Sequence, residues 1–258
     1  MGLHATSWPS GLASAPQGVC IVASVTAAEA AQGLAARVTL ALSEAVKQRG
    51  VATLWVSGGS TPVPFFQALA SQPLPWSQVQ LGLVDDRWCD PSEADSNEGL
   101  LRRHLLVGAA AQARFMGWHR AGVSEPLAVA PALAAQAAAW PWPADVVVLG
   151  VGGDGHTASW FPGTAQYAQA VSALVEPRCV VTDAPALPNV PRPRVTLTLG
   201  AVRDSRLICV HATGVGKAEV LARAWSGGRS GLPIGQLWAA PMAEGGQMPP
   251  VEVHWAPG

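Results

Sequence analysis

Six histidines and seventeen acidic residues are spread through a chain of 258, yet one histidine stands apart in its surroundings. His156 follows Asp154 by two positions inside Gly150-Val151-Gly152-Gly153-Asp154-Gly155-His156. The glycines leave the backbone bare and free to take positive φ, so a carboxylate and an imidazole are the loop's two ionisable side chains. Those residue types, two positions apart on a glycine-rich turn, suit a general base and the acid that assists it. Taken alone, His156 would equally serve as a structural histidine. His4, His104, His119, His211 and His254 lack such company.

Anion chemistry is the second theme. Ser57-Gly58-Gly59-Ser60-Thr61-Pro62 places two glycines and hydroxyls just before an expected helix, where free N–H groups and the helix dipole favour a phosphate. The same six residues would also serve as a plain strand-to-helix turn with Thr61 as N-cap. Lys217 sits at the start of another expected helix, the end that repels cations, which an anion shared with that helix would explain. Asp85-Asp86-Arg87 closes an expected strand and Arg194 opens one. An arginine fork binds phosphate or carboxylate, and a surface ion pair is the alternative use for each.

These residues need strands and helices to position them. Residues 146–149 are short, apolar and mostly β-branched, as a strand buried on both faces of a parallel sheet would be. Residues 1–17, rich in Ser, Pro and Gly, are expected to be a loose arm. Strands are expected over 19–25, 51–56, 80–84, 114–118, 179–182, 195–199 and 207–211, with a final edge strand over 251–255. Helices are expected after a Thr26/Glu29 capping box up to Gly50, from Pro62 to about 70, over 97–106 behind Ser96, over 125–139, and over 217–225. This alternation argues for α/β layering in a single domain, a mostly parallel sheet flanked by helices with right-handed crossovers.

Composition narrows the rest. Hydrophobic residues make up 49% and charged ones 13%, enough for a large core. A formal net charge of −1 provides no basic face, so no nucleic-acid partner is expected. No apolar run approaches the roughly 20 residues that span a bilayer, so no membrane partner is expected and the location should be cytoplasmic. The opening MGLHATS fits a myristoylation pattern, but no second anchoring signal accompanies it. Cys20, Cys89, Cys179 and Cys209 are scattered and should be reduced. With no HExxH and no paired Cys, neither a metal nor a cofactor is expected. The loop from Gly150 to Gly155 matches GxGxxG letter for letter, but Pro162 interrupts any following helix, and Glu176 precedes the next strand instead of ending it. A dinucleotide site is therefore not expected. Gly214-Val215-Gly216-Lys217-Ala218 likewise fails the P-loop pattern, with His211 and Ala218 at two of its fixed positions.

SGGSTP, VDDRWCDPSEADSNEGLLRRHLL, GVGGDGHTASWFPG, PRPRVTLTLG and TGVGKAEVL, in that order, resemble the 6-phosphogluconolactonase family. The resemblance implies a NagB-like fold with Rossmann-like layering over residues 18–258. It also implies cofactor-free hydrolysis of 6-phosphoglucono-1,5-lactone, a phosphorylated sugar lactone, in the pentose phosphate pathway, and leaves monomer and homodimer open. By resemblance His156 matches the catalytic histidine, and Asp154 and Asp85 match its acidic neighbours. Gly58, Gly59, Ser60, Thr61, Arg87, Arg194 and Lys217 match positions around phosphate and sugar. Asp86 stands where the family usually has Glu, Trp88-Cys89-Asp90-Pro91 replaces a more aliphatic segment, and Trp160 replaces a common Leu expected to shape the wall beside the sugar. The related deaminases carry a glutamate five residues after the matching histidine, and that position is Phe161. A sugar-phosphate isomerase or deaminase of the same fold, and a non-catalytic sugar-phosphate sensor, are the rival readings.

Overall fold

Thr26 turns the chain from its first strand into its first helix. Its hydroxyl accepts the Glu29 N–H at 3.2 Å, while Glu29 Oε2 accepts the Val25 N–H at 3.0 Å, one residue earlier than a standard capping box requires. Strand β1 (Val19–Ala23) and helix α1 (Ala27–Arg49) result, and α1 stops at Gly50, whose φ of 73° suits glycine. The computed structural model describes residues 7–186, 188–226, 231–239 and 248–258. Its further elements are β2 (Ala52–Val56), α2 (Val63–Ala70), β3 (Val79–Leu83), β4 (Asp85–Arg87), α3 (Asn97–His104), β5 (Arg114–Met116), α4 (Ala130–Ala138) and β6 (Val146–Leu149). After these come α5 (Tyr167–Ala170), β7 (Cys179–Thr182), β8 (Arg194–Leu197), α6 (Leu199–Arg203), β9 (Ile208–Thr213), α7 (Val215–Ser226), α8 (Gln236–Ala239) and β10 (Val251–Ala256).

Among the described residues seven strands pair in the order β1-β10-β9-β6-β2-β3-β5, every pair parallel. Helices flank this sheet, with α1 packed across β2, β6, β9 and β10, so the expected mostly parallel α/β domain is what forms. β2 and β6 are buried at every position, as strands covered on both faces must be. A three-stranded antiparallel sheet, β4-β8-β7, grows from the carboxyl end of β3. Val84 joins the two sheets: its N–H donates to Val56 O at 2.9 Å and its carbonyl accepts the Leu197 N–H at 2.7 Å.

Several expected elements shift. β10 is not an edge strand; it lies between β1 and β9, and β1 is the edge. Asp85-Asp86-Arg87 does not end β3 but forms its own strand in the smaller sheet. The helix expected over 125–139 divides into a 3₁₀ turn (Pro126–Val129) and α4, because Pro131 has no N–H to continue an α ladder back into that turn. Of the expected arm, residues 1–6 lie outside the described residues. Residues 7–17 carry no helix or strand, and there Trp8 meets Trp225 and Trp255 with ring centroids 5.2 and 5.5 Å apart. No helix among the described residues is long and apolar enough to cross a membrane.

Trp55 anchors the middle of the sheet, its ring 6.0 Å from Trp118 and 5.6 Å from Trp142. Its register partner on β3 is Gly82, where an added Cβ would lie 2.5 Å from the indole. We expect Gly82→Ala to lower the free energy of unfolding by about 1–3 kcal/mol, the usual cost of overpacking. Pairing it with Trp55→Leu should recover part of that loss. Urea unfolding of the four proteins checks this, and an unchanged midpoint for the single variant contradicts it.

Candidate active site

The parallel strands change direction of progress between β6 and β2: from β2 the chain builds outward to β3 and β5, from β6 outward to β9 and β10. Loops leaving neighbouring strands at such a point part from each other and open a crevice at the carboxyl ends. Here the crevice is a cavity of about 290 Å³ between the β2–α2 loop, the β6 loop and the small antiparallel sheet. Gly58, Gly59, Ser60, Thr61, Asp85, Arg87, His156 and Arg194 line it. Asp154 and Lys217, also singled out from sequence, do not.

The β6 loop is a tight turn. Gly152 N–H donates to His156 O at 2.7 Å and Gly155, at φ 84°, donates to Gly152 O at 3.1 Å. That turn folds Asp154 back onto the imidazole, with Asp154 Oδ1 2.5 Å from His156 Nδ1 and 3.1 Å from the His156 N–H. Asn189 Nδ2 donates to the other carboxylate oxygen at 3.2 Å. Burial would raise the Asp154 carboxyl, but the His156 N–H, the imidazole and the Asn189 amide outweigh it and hold the group below the ordinary carboxylate range. A carboxylate on Nδ1 fixes that nitrogen as the donor and leaves Nε2 as the basic one. There is no space for a side chain at Gly152: a Cβ would lie 2.2 Å from His156 Nδ1. Gly152 and Gly155 spend their N–H groups within the turn, whereas Gly150 and Val151 line the cavity with N–H groups that no hydrogen bond outside the strands uses among the described residues. The next residues are pinned by Thr157 Oγ1 donating to Gly150 O at 2.8 Å, and Ala158 is held at φ 49°, unusual for a residue with a Cβ.

On the opposite wall Thr61 is not the N-cap. Pro62 takes that position, with no side-chain cap bond, and Thr61 faces the cavity. No hydrogen bond among the described residues uses the N–H groups of Gly58, Gly59, Ser60 or Thr61, and Gly59 is at φ 100°. A Cβ on Gly58 would lie 2.1 Å from Asn97 Oδ1. Asn97 was missed by sequence reading except as a helix start. It donates to Asp85 O at 2.9 Å and accepts from Arg87 Nη1 at 3.0 Å, tying three cavity residues together.

Successive side chains on a strand face opposite ways, and β4 uses this to divide its acidic pair. Asp85 turns to the cavity and accepts from Ser159 Oγ at 2.6 Å. Asp86 turns to the start of α3 and accepts the N–H groups of Arg87, Asn97 and Glu98 at 2.7–2.9 Å. Burial lifts the Asp86 carboxyl to about 7, against those three N–H groups, which pull it down. Asp86 therefore caps a helix and stays out of the chemistry. Trp160 does not form the wall beside the cavity; it is fully buried and donates to Leu197 O at 2.9 Å.

Arg87 and Arg194 are direct partners across the β4–β8 pair. Like charges so placed repel, and burial pulls the Arg194 guanidinium down to about 10, a trend Asp85 opposes and Arg87 adds to. Arg194 Nη2 donates to Val190 O at 2.8 Å and its guanidinium carbon lies 5.4 Å from the centre of the Phe161 ring. An anion between the two arginines and the N–H groups of the β2–α2 loop would relieve the repulsion. Lys217, in the first turn of α7, reaches the outside of the β6 loop, where a Cβ on Gly153 would be 3.9 Å from its Nζ. Burial pulls its ammonium down and Asp154 opposes that. His211, set aside on sequence, lines the cavity floor. Its C-x-H pairing with Cys209 on one strand was the signal available.

Fold and site together define an α/β protein whose cavity sets two arginines and the N–H groups of a helix-leading loop opposite an imidazole hydrogen-bonded to a carboxylate. A profile of the glucosamine-6-phosphate isomerase and 6-phosphogluconolactonase family matches residues 25–243. A 6-phosphogluconolactonase of Pseudomonas aeruginosa is 38% identical over 94% of this chain and 97% of its own, and one of Mesorhizobium japonicum is 40% identical over 88% and 91%. The crystal structure of a 6-phosphogluconolactonase from Shewanella baltica superposes with a TM-score of 0.84 at 37% identity, covering 92% of this chain and 97% of that one. The chain belongs to the 6-phosphogluconolactonase family.

The paired arginines generate a prediction of their own. Inorganic phosphate should raise the thermal midpoint of the wild type by an increment that grows as RT ln(1 + [L]/Kd). Arg87→Gln, which removes a charge-assisted hydrogen bond of roughly 1.5–3 kcal/mol, should need about 10- to 150-fold more phosphate for the same increment. Identical phosphate titrations for the two proteins would sink the anion assignment.

Proposed function

We propose that the protein hydrolyses 6-phospho-D-glucono-1,5-lactone to 6-phospho-D-gluconate in the oxidative branch of the pentose phosphate pathway, with His156 as general base. The observation that carries this is His156, held by Asp154 behind it, in the wall of the same cavity that Arg87, Arg194 and the loop leading into α2 line. The named relatives support the same substrate.

A δ-lactone is an activated ester, so its hydrolysis requires only a base for water and donors for the developing oxyanion. His156 Nε2 takes a proton from water as the oxygen attacks the lactone carbonyl carbon. The N–H groups of Gly150 and Val151, residues that line the same cavity as His156, serve as those donors. When the tetrahedral intermediate collapses, the C–O bond to the ring oxygen breaks and the imidazolium returns its proton to that oxygen, leaving a carboxylic acid that ionises. Asp154 orients the ring and stabilises the imidazolium; Asp85, held by Ser159, sits where it can position the water or a sugar hydroxyl. Arg87, Arg194, Gly58, Gly59, Ser60 and Thr61 bind the phosphate, and Lys217 adds its charge behind the loop. A deaminase of this fold needs a carboxylate where Phe161 places an aromatic ring 4.7 Å from the imidazole, and a mere sensor needs no Asp–His pair.

On this reading the partner is a small phosphorylated lactone, the assembly a monomer or homodimer, and the compartment the cytoplasm, where the four unpaired cysteines would stay reduced.

Generating the lactone in situ and following 6-phosphogluconate above spontaneous hydrolysis tests the proposal. Turnover no faster than the spontaneous rate would refute it. His156→Ala should lower kcat by about 10²–10⁴-fold with KM near normal. Gly152→Ala, which drives a methyl into the Asp154–His156 pair, should lower kcat by at least about 10-fold while leaving the thermal midpoint close to wild type. Unphosphorylated gluconolactone should be turned over with kcat/KM lower by about 10- to 150-fold for each charge-assisted hydrogen bond that it cannot make without a phosphate; equal turnover of the two lactones would remove phosphate from the recognition scheme.

A further inference from the structure

β9 reads Cys209-Val210-His211 and β10 reads Glu252-Val253-His254. The two strands are parallel neighbours in a register that sets Cys209 against Glu252 and His211 against His254. Residues two apart on a strand share a face, so four side chains with metal-binding chemistry form a two-by-two square. Arg37 of α1 reaches Glu252 at 2.8 Å, which identifies the face as the one α1 covers. The ligand atoms of Cys209, Glu252 and His254 all lie within 4.8 Å of one another.

We propose that this square is a structural site for one thiophilic divalent cation, zinc by its chemistry, held by Cys209 Sγ, a Glu252 oxygen and a His254 nitrogen, with His211 or water in the fourth position. Thiolate, imidazole and carboxylate are the ligand set that zinc takes at about 2.0–2.3 Å in a tetrahedron. That tetrahedron spaces its ligands about 3.5 Å apart, so side-chain movements of about 1 Å complete the site.

Three further observations point to a ligand there. Cys209 is completely buried, and His211 and His254 are 3% and 2% exposed. Both ring nitrogens of His211 and Nδ1 of His254 have no hydrogen-bond partner among the described residues, and unsatisfied buried polar atoms are costly unless something binds them. Glu252 is already arranged as a ligand with an outer partner: one oxygen accepts from Arg37 Nε, and the other is 3.2 Å from His254 Nε2. The hydrogen-bonded chain from Arg37 to His254 would by itself explain Glu252, but it leaves the thiol, His211 and His254 Nδ1 without a role. The site does not include the Asp154–His156 pair and plays no part in the hydrolysis; it staples β9 to β10, with His211 as its one residue that also lines the cavity.

The test uses the full-length protein after dialysis against EDTA, reloaded with Co²⁺ and separately with Zn²⁺. One equivalent of Co²⁺ should bind with a sulfur-to-cobalt charge-transfer band, and Zn²⁺ should displace it and raise the thermal midpoint. Cys209→Ser should abolish the band and weaken uptake by at least about 100-fold, and His254→Gln should weaken it similarly. His156→Ala should leave both unchanged. Absence of stoichiometric uptake overturns the proposal, as does a band that survives Cys209→Ser and vanishes in Cys20→Ser, since Cys20 faces Glu252 from β1. If Cys209→Ser fails to fold, X-ray absorption of the zinc-loaded wild type decides: one sulfur among nitrogen and oxygen neighbours upholds the site, and a shell without sulfur removes it.

Discussion

A parallel sheet covered on both faces meets water only at its strand ends, and that constraint decides where this protein can do chemistry. β2 and β6 run side by side, fully buried, and remain tied just past their ends by the Ser57 N–H donating to Val148 O at 2.9 Å. Beyond that bond the chain must part in two directions, toward α2 on one side and into the glycine-rich turn on the other. The loop leading into α2 and the loop that carries His156 both hang from this fork. Glycine occurs where the fork leaves no space: at Gly58 the obstacle is the Asn97 side chain, at Gly152 the imidazole itself. Both obstacles are side chains that line the cavity, so the close approach is a means of holding them in place.

The small antiparallel sheet supplies what the large one cannot. A parallel sheet directs its loops to one end but has no element crossing in front of them; β4 and β8 do cross, and deliver Asp85, Arg87 and Arg194 to the cavity. Two arginines abreast in a half-dry place cost stability in the free protein. The cost is partly offset by neutral acceptors: Arg87 bonds Asp95 O and Asn97 Oδ1, and Arg194 bonds Val190 O and Arg192 O. Carbonyl partners hold a guanidinium in place without cancelling its charge, so both charges remain available to a phosphate. A carboxylate partner would have spent them. On the proposed reading, the loop's unused N–H groups and the two arginines, whose hydrogen bonds among the described residues go to neutral acceptors, form the phosphate site.

Local patterns in the sequence carry the large sheet and the glycine-rich loop because each is set by neighbours a few positions away. The apolar run at Val146 to Leu149 and the helix start at Ser96 fall into this class, and both stand as read. What could not be read depends on register between distant strands. Asp85-Asp86-Arg87 looks like the tail of β3 until Val195 and Arg194 arrive from more than a hundred residues away to pair with it. β10 looks like an edge until β1 takes the outer place. Asn97 carries no mark of its role, since its contacts with Gly58, Asp85 and Arg87 exist only once three elements converge. The Thr61 cap failed for a local reason: of the two N–H groups a threonine there would cap, Pro64 has none and Val63 donates to Ser60 O at 3.4 Å.

Phe161 shows how one residue selects among reactions that this fold can host. Its ring centre lies 4.7 Å from that of the His156 imidazole and 5.4 Å from the guanidinium carbon of Arg194, in contact with both groups. Moving a proton between two carbons of a sugar, or expelling an amine, requires a second acid or base beside the first. Phe161 offers none. A carboxylate at that point would also pair with Arg194 and draw its charge away from the substrate, whereas a ring face holds the guanidinium through its quadrupole and consumes none of its N–H donors. A single base, an oriented water and an anion site are sufficient for opening a lactone and insufficient for isomerisation. On the proposed reading the aromatic ring does two things at once: it puts no proton-transfer group at that point beside His156, and it leaves the arginine charge for the phosphate.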